Sequence, residues 1–389
     1  MSGVRVLVDA TSVPADRGGV GRYVDGLLAA LVASDEPVDV FVVCQRTDAD
    51  RYVALAPGAE VVAAPAAVAH RPARLAWEQT GLPLLAQQLG VDVLHSPFYS
   101  SPLRSSCPIT VTIHDATFFT EREHYDRHRG AFMRSAIKTS LRRAAQIIVP
   151  SKATRDELIR LLDADADKTA VAYHGVDPRS FYIPDDAEKA RVAARLGLAD
   201  TPYVAFLGVM EPRKNVPNLV RGWAAAVAER PNPPALVLAG GSGHDDAIDD
   251  AVSQIPSHLK VVRPGYLRFT DLPGYLGGAV AAAYPSHGEG FGLPIVEAMA
   301  CGAPVLTTPR LSLPEVGGDA VAYTTEEPED IARDLSALLD DEQQRAKLSV
   351  LGVERAREFT WERSAAAHLA TWRRAAGKPH QTDDDGTSY

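Results

Sequence analysis

The chain has 389 residues, 46% of them hydrophobic and 23% charged, with a formal net charge of −10. That length is more than one hydrophobic core usually serves, so two domains are expected, and the negative balance argues against a general nucleic-acid binder. Three cysteines, Cys44, Cys107 and Cys301, are odd in number and lack metal-ligand spacing, which fits a reduced compartment better than a disulfide framework.

The N-terminus runs MSGVR into VLVDA with no basic segment, long apolar stretch or cleavage site, so no signal peptide is expected. Apolar runs are all about strand length, and none is expected to span a bilayer. VRVLVDA reads as a buried strand. After it comes Arg17-Gly18-Gly19-Val20-Gly21-Arg22-Tyr23, leading into the helix GRYVDGLLAALVAS. A dinucleotide fingerprint would need a third glycine where Val24 stands, so NAD binding is not expected. Two readings of the loop stay open: a plain connection, or a backbone around Gly19 that approaches a diphosphate from the opposite domain.

VDVFVVC, AEVVAAP, VDVLHSP, PITVTIHD and QIIVPS follow as short β-branched runs separated by helical stretches. Continuous apolar strands alternating with helices predict a parallel sheet covered on both faces. His95 and the pair His114–Asp115 fall at strand ends, where a ligand would be met, although a lone histidine also suits a packed core. Asp163-Ala164-Asp165-Ala166-Asp167 and Asp48-Ala49-Asp50 have the D-x-D spacing of metal-dependent transferases. Neither follows a clear strand, so both read as solvated turns and no metal site is expected. The segment from Arg127 to Arg143 also carries Arg129, Arg134, Lys138 and Arg142 among apolar positions. It reads as a solvated helix or as a basic amphipathic surface for anionic lipid.

The pattern pauses between Asp177 and Asp200 and restarts with YVAFLGV, ALVLAGG, LKVVRPGY, AVAAAYPS, PVLTT and AVAYT. The fold class expected is α/β, with two doubly wound Rossmann-like domains facing a cleft: residues 1–176, and residues 177–358 after a linker near 176–185. The last helical stretch, about 359–376, comes after the second domain is complete, and residues 377–389 are expected to be disordered. Charge is uneven: residues 1–176 carry 19 Lys and Arg against 20 Asp and Glu, the rest 21 against 30. An anionic ligand in the second domain would need a local cationic cluster.

Two segments supply one. Arg213 and Lys214, in EPRKN just past the strand YVAFLG, place a fork and a point charge where a diphosphate would lie. Gly240 and Gly241 repeat that topology one strand later and would line a nucleotide pocket. In HGEGFGLPIVEAMACG, Glu289 follows a strand, and Gly290, Phe291, Gly292 and Leu293 turn backbone N–H groups outward at a helix start, an anion cradle. Glu297 falls one turn into that helix, near enough to accept hydrogen bonds from ribose hydroxyls. The two glutamates would bracket one ligand.

Together EGFGLPIVE, EPRKN, GGVGRY and TIHD resemble the family 4 retaining glycosyltransferases of the GT-B fold. The wording of VMEPRKN and PSHGEGFGLPIVEAMACGAPV is closest to bacterial mannosyltransferases acting on O-antigen and related polysaccharides. The resemblance covers about residues 4–375 and is most specific in the C-terminal half.

It implies two facing domains, with the closing helix, containing Trp361 and Trp372, crossing back onto the first. It implies a nucleotide-sugar donor held by the second domain, Arg213 and Lys214 on the diphosphate, Glu289 on the transferred sugar and Glu297 on the ribose. By the resemblance His114 would contact the sugar; His95 and Asp115, from their strand-end positions, are candidates for the acceptor side. Many relatives carry an arginine directly after the glycine of the FLG strand; here Val209 stands there, so Arg213 is expected to act in its place. The implied donor is GDP-mannose, with no cofactor or metal, and the acceptor a glycan or lipid-linked glycan. The expected location is cytoplasmic, with peripheral membrane contact as a further possibility. The competing readings are a transferase using a UDP-sugar, a nucleotide-sugar epimerase and a catalytically silent sugar-nucleotide binder.

Overall fold

The computed structural model describes residues 3–14, 17–122, 125–199, 201–243 and 245–378. The chain divides into two compact units, Met1–Gly175 joined by Thr360–Tyr389, and Val176–Phe359.

The first unit is built on seven parallel strands: β1 (Val4–Asp9), β2 (Val38–Cys44), β3 (Glu60–Ala63), β4 (Val93–Ser96), β5 (Ile109–Thr112), β6 (Gln146–Val149) and β7 (Thr169–Val171). Their order across the sheet is β3-β2-β1-β4-β5-β6-β7. The pleat sends successive side chains to opposite faces. Leu7, Leu94, Val111 and Ile147 enter one core, while Val6, Val8, Val42 and Val93 enter the other. Both faces are apolar, so both need helices, which is why these strands read as unbroken hydrophobic runs. The sequence reading has no counterpart of β7, whose three residues, TAV, are too short a run to stand out.

The helix after β1 runs from Gly18 to Ala33 and begins three residues earlier than expected. It covers the second core with Tyr23, Val24, Leu27 and Leu28, beside the C-terminal helix Trp361–Ala375. Trp361, Leu369 and Trp372 of that last helix are buried in the same core. The two helices meet at Gly26, where a Cβ would come within 2.1 Å of the Trp361 indole. The closing helix therefore belongs to the first unit.

The second unit repeats the plan with six parallel strands: β8 (Tyr203–Leu207), β9 (Ala235–Ala239), β10 (Val261–Gly265), β11 (Ala281–Tyr284), β12 (Val305–Thr307) and β13 (Ala322–Tyr323). Their order is β10-β9-β8-β11-β12-β13. Strand order reverses direction between β8 and β11, which pair directly at Ala281–Val204. Connections leaving these two strands turn opposite ways, and a doubly wound sheet opens its ligand crevice there.

Most of the expected disordered tail lies outside the described residues. Lys378 is described, and its ammonium pairs with Asp92 at 2.6 Å, so the chain is still held one residue past Gly377. Among the described residues, no helix is long and apolar enough to cross a membrane.

Candidate functional site

The loops leaving β8 and β11 bring the expected charged residues together. After β8, the short turn Pro212–Lys214 is 3-10 helical, and Asn215 closes it in the left-handed region at φ 57°. After β11 comes the loop that ends at the helix Leu293–Ala300. The loops are stitched by backbone: the His287 amide donates to the Arg213 carbonyl at 2.9 Å.

Glu289 is 7% exposed and Lys214 6%. One carboxylate oxygen of Glu289 lies 2.7 Å from Arg213 Nη1, and the other lies 2.5 Å from Lys214 Nζ. Arg213 also pairs with Glu211 at 3.3 Å and donates to the Gly288 carbonyl. The Tyr284 hydroxyl donates to Glu289 Oε1 at 3.0 Å and receives the Lys214 ammonium. Ser286 Oγ sits 2.9 Å from the same carboxylate oxygen. Behind the loop, Ser312 donates to the Glu289 carbonyl and Thr308 to that of Ser286.

Burial alone would raise the Glu289 pKa, but Arg213 and Lys214 more than offset it and hold the carboxyl down to about 2. Burial, with Arg213 adding repulsion, pulls Lys214 down to about 8, and Glu289 offsets only part of that. The site is thus a pair of cations, Lys214 buried and Arg213 partly buried, held by a buried carboxylate of the protein itself.

Glu297 lies on the helix Leu293–Ala300 and is 2% exposed. Gly292 precedes the helix at φ 98°, a conformation glycine adopts without the strain a Cβ would bring. Phe291 is buried with its ring edge-on to Phe359 at 5.4 Å, and Leu293 is buried too. Gly290 is part of the same loop. Gly240 has a structural reason as well: at φ 132°, a Cβ there would come within 2.0 Å of the Gly208 carbonyl oxygen. Gly241 accepts from the Met210 amide at 3.0 Å, so the loops after β8 and β9 are laced together.

The first unit holds the expected histidines. His114, after β5, is half-buried; its Nε2 donates to the Pro97 carbonyl at 2.8 Å, leaving Nδ1 as the acceptor. Burial lowers its pKa, so the ring is neutral at pH 7. Asp115 accepts from the Tyr99 hydroxyl, the Thr117 amide and the Thr117 hydroxyl, the turn that opens the short helix Thr117–Thr120. A Cβ added at Gly19 would meet no described atom within 4 Å.

His95, expected on the acceptor side, lies inside the first unit. It has no exposed surface, and both ring nitrogens are occupied, Nδ1 by Thr110 at 3.0 Å and Nε2 by Tyr23 at 3.1 Å. The geometry assigns the protons. His368 Nδ1 donates to the Ser364 carbonyl at 2.7 Å, so His368 Nε2 accepts from the Tyr23 hydroxyl at 2.8 Å. Tyr23 has no second proton, so His95 Nε2 donates to it. His174 lies against the same tyrosine ring at 4.9 Å. The sequence reading missed Tyr23, His174 and His368, which are scattered along the chain and share no local pattern. It also missed Tyr284 and Ser286, whose only signal was a polar end to the alanine-rich strand AAAY.

Of the D-x-D segments, 163–167 is an irregular turn as read, whereas Asp48 ends a 3-10 turn of helix and Asp50 lies in the helix Ala49–Leu55. Asp163 caps the helix Lys152–Leu162 in the left-handed region, Asp165 accepts from the Asp167 amide, and Asp48 pairs with Arg17 at 3.5 Å. Among the described residues no group of three or more His, Cys, Asp or Glu is arranged to hold a metal ion.

Comparison with known proteins identifies the family and the fold. Residues 17–180 match the family described as Glycosyltransferase Family 4, and residues 201–341 match Glycosyl transferases group 1. The chain is 33% identical over 273 residues to O-antigen chain mannosyltransferase B of Escherichia coli, covering 69% of this chain and 71% of that protein. It is 34% identical over 245 residues to D-inositol 3-phosphate glycosyltransferase of Mycobacterium marinum, of which the match spans only 51%. The fold is shared with Anabaena HepE solved with UDP-glucose (TM-score 0.73, 18% identity, 94% of this chain and 98% of that one). It is also shared with sucrose-phosphate synthase from Thermosynechococcus elongatus (TM-score 0.76, 20% identity, 95% and 98%). With these matches across both units, the chain belongs to glycosyltransferase family 4 and is a sugar-transferring enzyme of the GT-B fold.

Proposed function

We propose that the protein is a retaining, metal-independent transferase that moves mannose from GDP-mannose to a hydroxyl of a glycan or lipid-linked acceptor. The observation that carries the reading is the pair Arg213 and Lys214 in the loop after β8, with Lys214 buried and both cations bound to the Glu289 carboxylate of the neighbouring loop. Two cations at a sheet's switch point suit a nucleoside diphosphate, whose charge they would hold as it leaves. With that charge held by side chains and by backbone groups around Gly290–Gly292, the reaction needs no metal at the phosphate.

In this reading residues 177–358 hold the donor and residues 1–176 the acceptor. Glu289 meets the transferred sugar, Glu297 the ribose hydroxyls, and Gly19, Gly240 and Gly241 line the donor. In the first unit His114 bonds a sugar hydroxyl as a neutral ring. The acceptor oxygen attacks the anomeric carbon on the face the diphosphate leaves, and its proton passes to the departing phosphate oxygen. Mannose is favoured by the likeness to the O-antigen chain mannosyltransferase. A UDP-sugar is the second reading, favoured by the UDP-glucose complex of a fold neighbour. The exposed cations Arg127, Arg129, Lys138, Arg142 and Arg143, on a helix with no acidic residue, would suit an acceptor at an anionic membrane surface.

The test is a panel of nucleotide sugars, with slow donor hydrolysis followed by mass spectrometry in the presence of EDTA. GDP-mannose should be consumed fastest. Consumption of UDP-sugars alone would select the second reading, and rescue by Mn²⁺ or Mg²⁺ would remove metal independence.

A further inference from the structure

We propose that Tyr284 is a positioning residue: its hydroxyl, held between the Lys214 ammonium and the Glu289 carboxylate, seats Glu289 on the cation pair as a built-in counter-ion that the donor's diphosphate displaces. The proposal rests on Arg213 and Lys214 being the diphosphate ligands.

Two adjacent cations, Lys214 buried and Arg213 partly buried, repel each other, so the pair needs an anion from the protein itself. Glu289 supplies it, with one oxygen for each cation. A carboxylate bound that way cannot also reach a sugar, so binding of the donor has to move it. The oxygen facing Lys214 carries the most partners, receiving Lys214, Tyr284 and Ser286 within 3.0 Å. Among the described residues, Tyr284 is the neutral group that hydrogen-bonds both charges. When phosphate oxygens arrive at Lys214, the ammonium still has the phenol oxygen as an acceptor, and the phenol proton still points to Glu289.

Burial, reinforced by the Glu289 charge, pushes the Tyr284 phenol well above its ordinary pKa, so the hydroxyl keeps its proton throughout. The ring is fixed by stacking on Phe206, with centroids 5.7 Å apart and planes 20° apart. Because the ring is anchored separately, Tyr284→Phe removes the hydroxyl and leaves the packing in place.

The experiment titrates wild type, Tyr284→Phe, Glu289→Gln and Lys214→Ala with GDP and with UDP by calorimetry between pH 6.5 and 9.5. With its acceptor gone, Lys214 should lose its proton more easily. The alkaline fall in Tyr284→Phe affinity should then move down by about half a pH unit, about a threefold loss at pH 8.5, with little change at pH 6.5. Glu289→Gln, which keeps the side chain's shape and removes the competing charge, should bind the diphosphate at least threefold more tightly at pH 6.5. A Tyr284→Phe profile superimposable on wild type overturns the positioning role. Unchanged or weaker binding by Glu289→Gln overturns the counter-ion, and this variant decides the matter if Tyr284→Phe does not fold. Wild-type affinity in Lys214→Ala would instead sink the diphosphate assignment beneath both.

Discussion

Arg213 Nη1 and Glu289 Oε2 stand 2.7 Å apart, so a loop leaving β8 and a loop leaving β11 are joined by a direct, largely buried ion pair. If both cations serve a diphosphate, Arg213→Ala and Lys214→Ala should each weaken nucleoside diphosphate binding by ~1.5–3 kcal/mol. Free nucleoside should bind almost as before. Calorimetry that shows equal losses for nucleoside and diphosphate would remove the phosphate assignment.

The same site sets a pH dependence. Lys214 is charged below its folded-state value of about 8 and neutral above it. Diphosphate affinity should therefore be full at pH 7 and fall about eightfold between pH 7.5 and 9 as the ammonium is lost. Glu289, held down to about 2, does not titrate in that window. The alkaline fall should disappear in Lys214→Ala. If it persists there, another group is responsible.

Glu289→Ala and Glu297→Ala should fail differently. Glu289 is tied to the cations, so its loss should cut turnover strongly while nucleotide binding stays at least as tight. Glu297 lies a helical turn further on, and its loss should weaken nucleotide and nucleotide sugar alike, by ~1–3 kcal/mol for two hydrogen bonds. Identical titration profiles for the two variants would mean that they do not bracket one ligand.

The histidines around Tyr23 predict acid sensitivity. Burial holds His368 down to about 4 and puts His95 and His174 well below the ordinary value. Each folded-state value lies below the unfolded one, so the unfolded chain binds more protons and stability is lost as pH falls below about 6.5. His368 alone should account for about 2 kcal/mol by pH 5. Thermal midpoints at pH 7, 6 and 5 measure this, and a flat series would contradict it.

Both sheets were legible because their inner strands are buried on both faces and so appear as unbroken apolar runs. The cation pair and Glu289 were legible too, since each follows a strand end and β8 and β11 are neighbours. Tyr284 was not, because its significance depends on Lys214, which comes from another loop. The surroundings of His95 were not legible for a related reason. A histidine at a strand end looks the same in sequence whether it meets a ligand or, as here, is enclosed by Tyr23, Thr110, His368 and Trp372.

The return of the helix Trp361–Ala375 to the first unit has a consequence for synthesis. Val176–Phe359 is an unbroken stretch that can close as soon as it leaves the ribosome. The first unit emerges earlier but must wait, with the face of its sheet beside Gly26 uncovered, until Trp361, Leu369 and Trp372 are made. Apolar surface left bare in a nascent chain favours aggregation. The first part made is therefore the last part finished, and a stop codon near residue 360 should cost the solubility of the N-terminal unit more than that of the unit it directly follows.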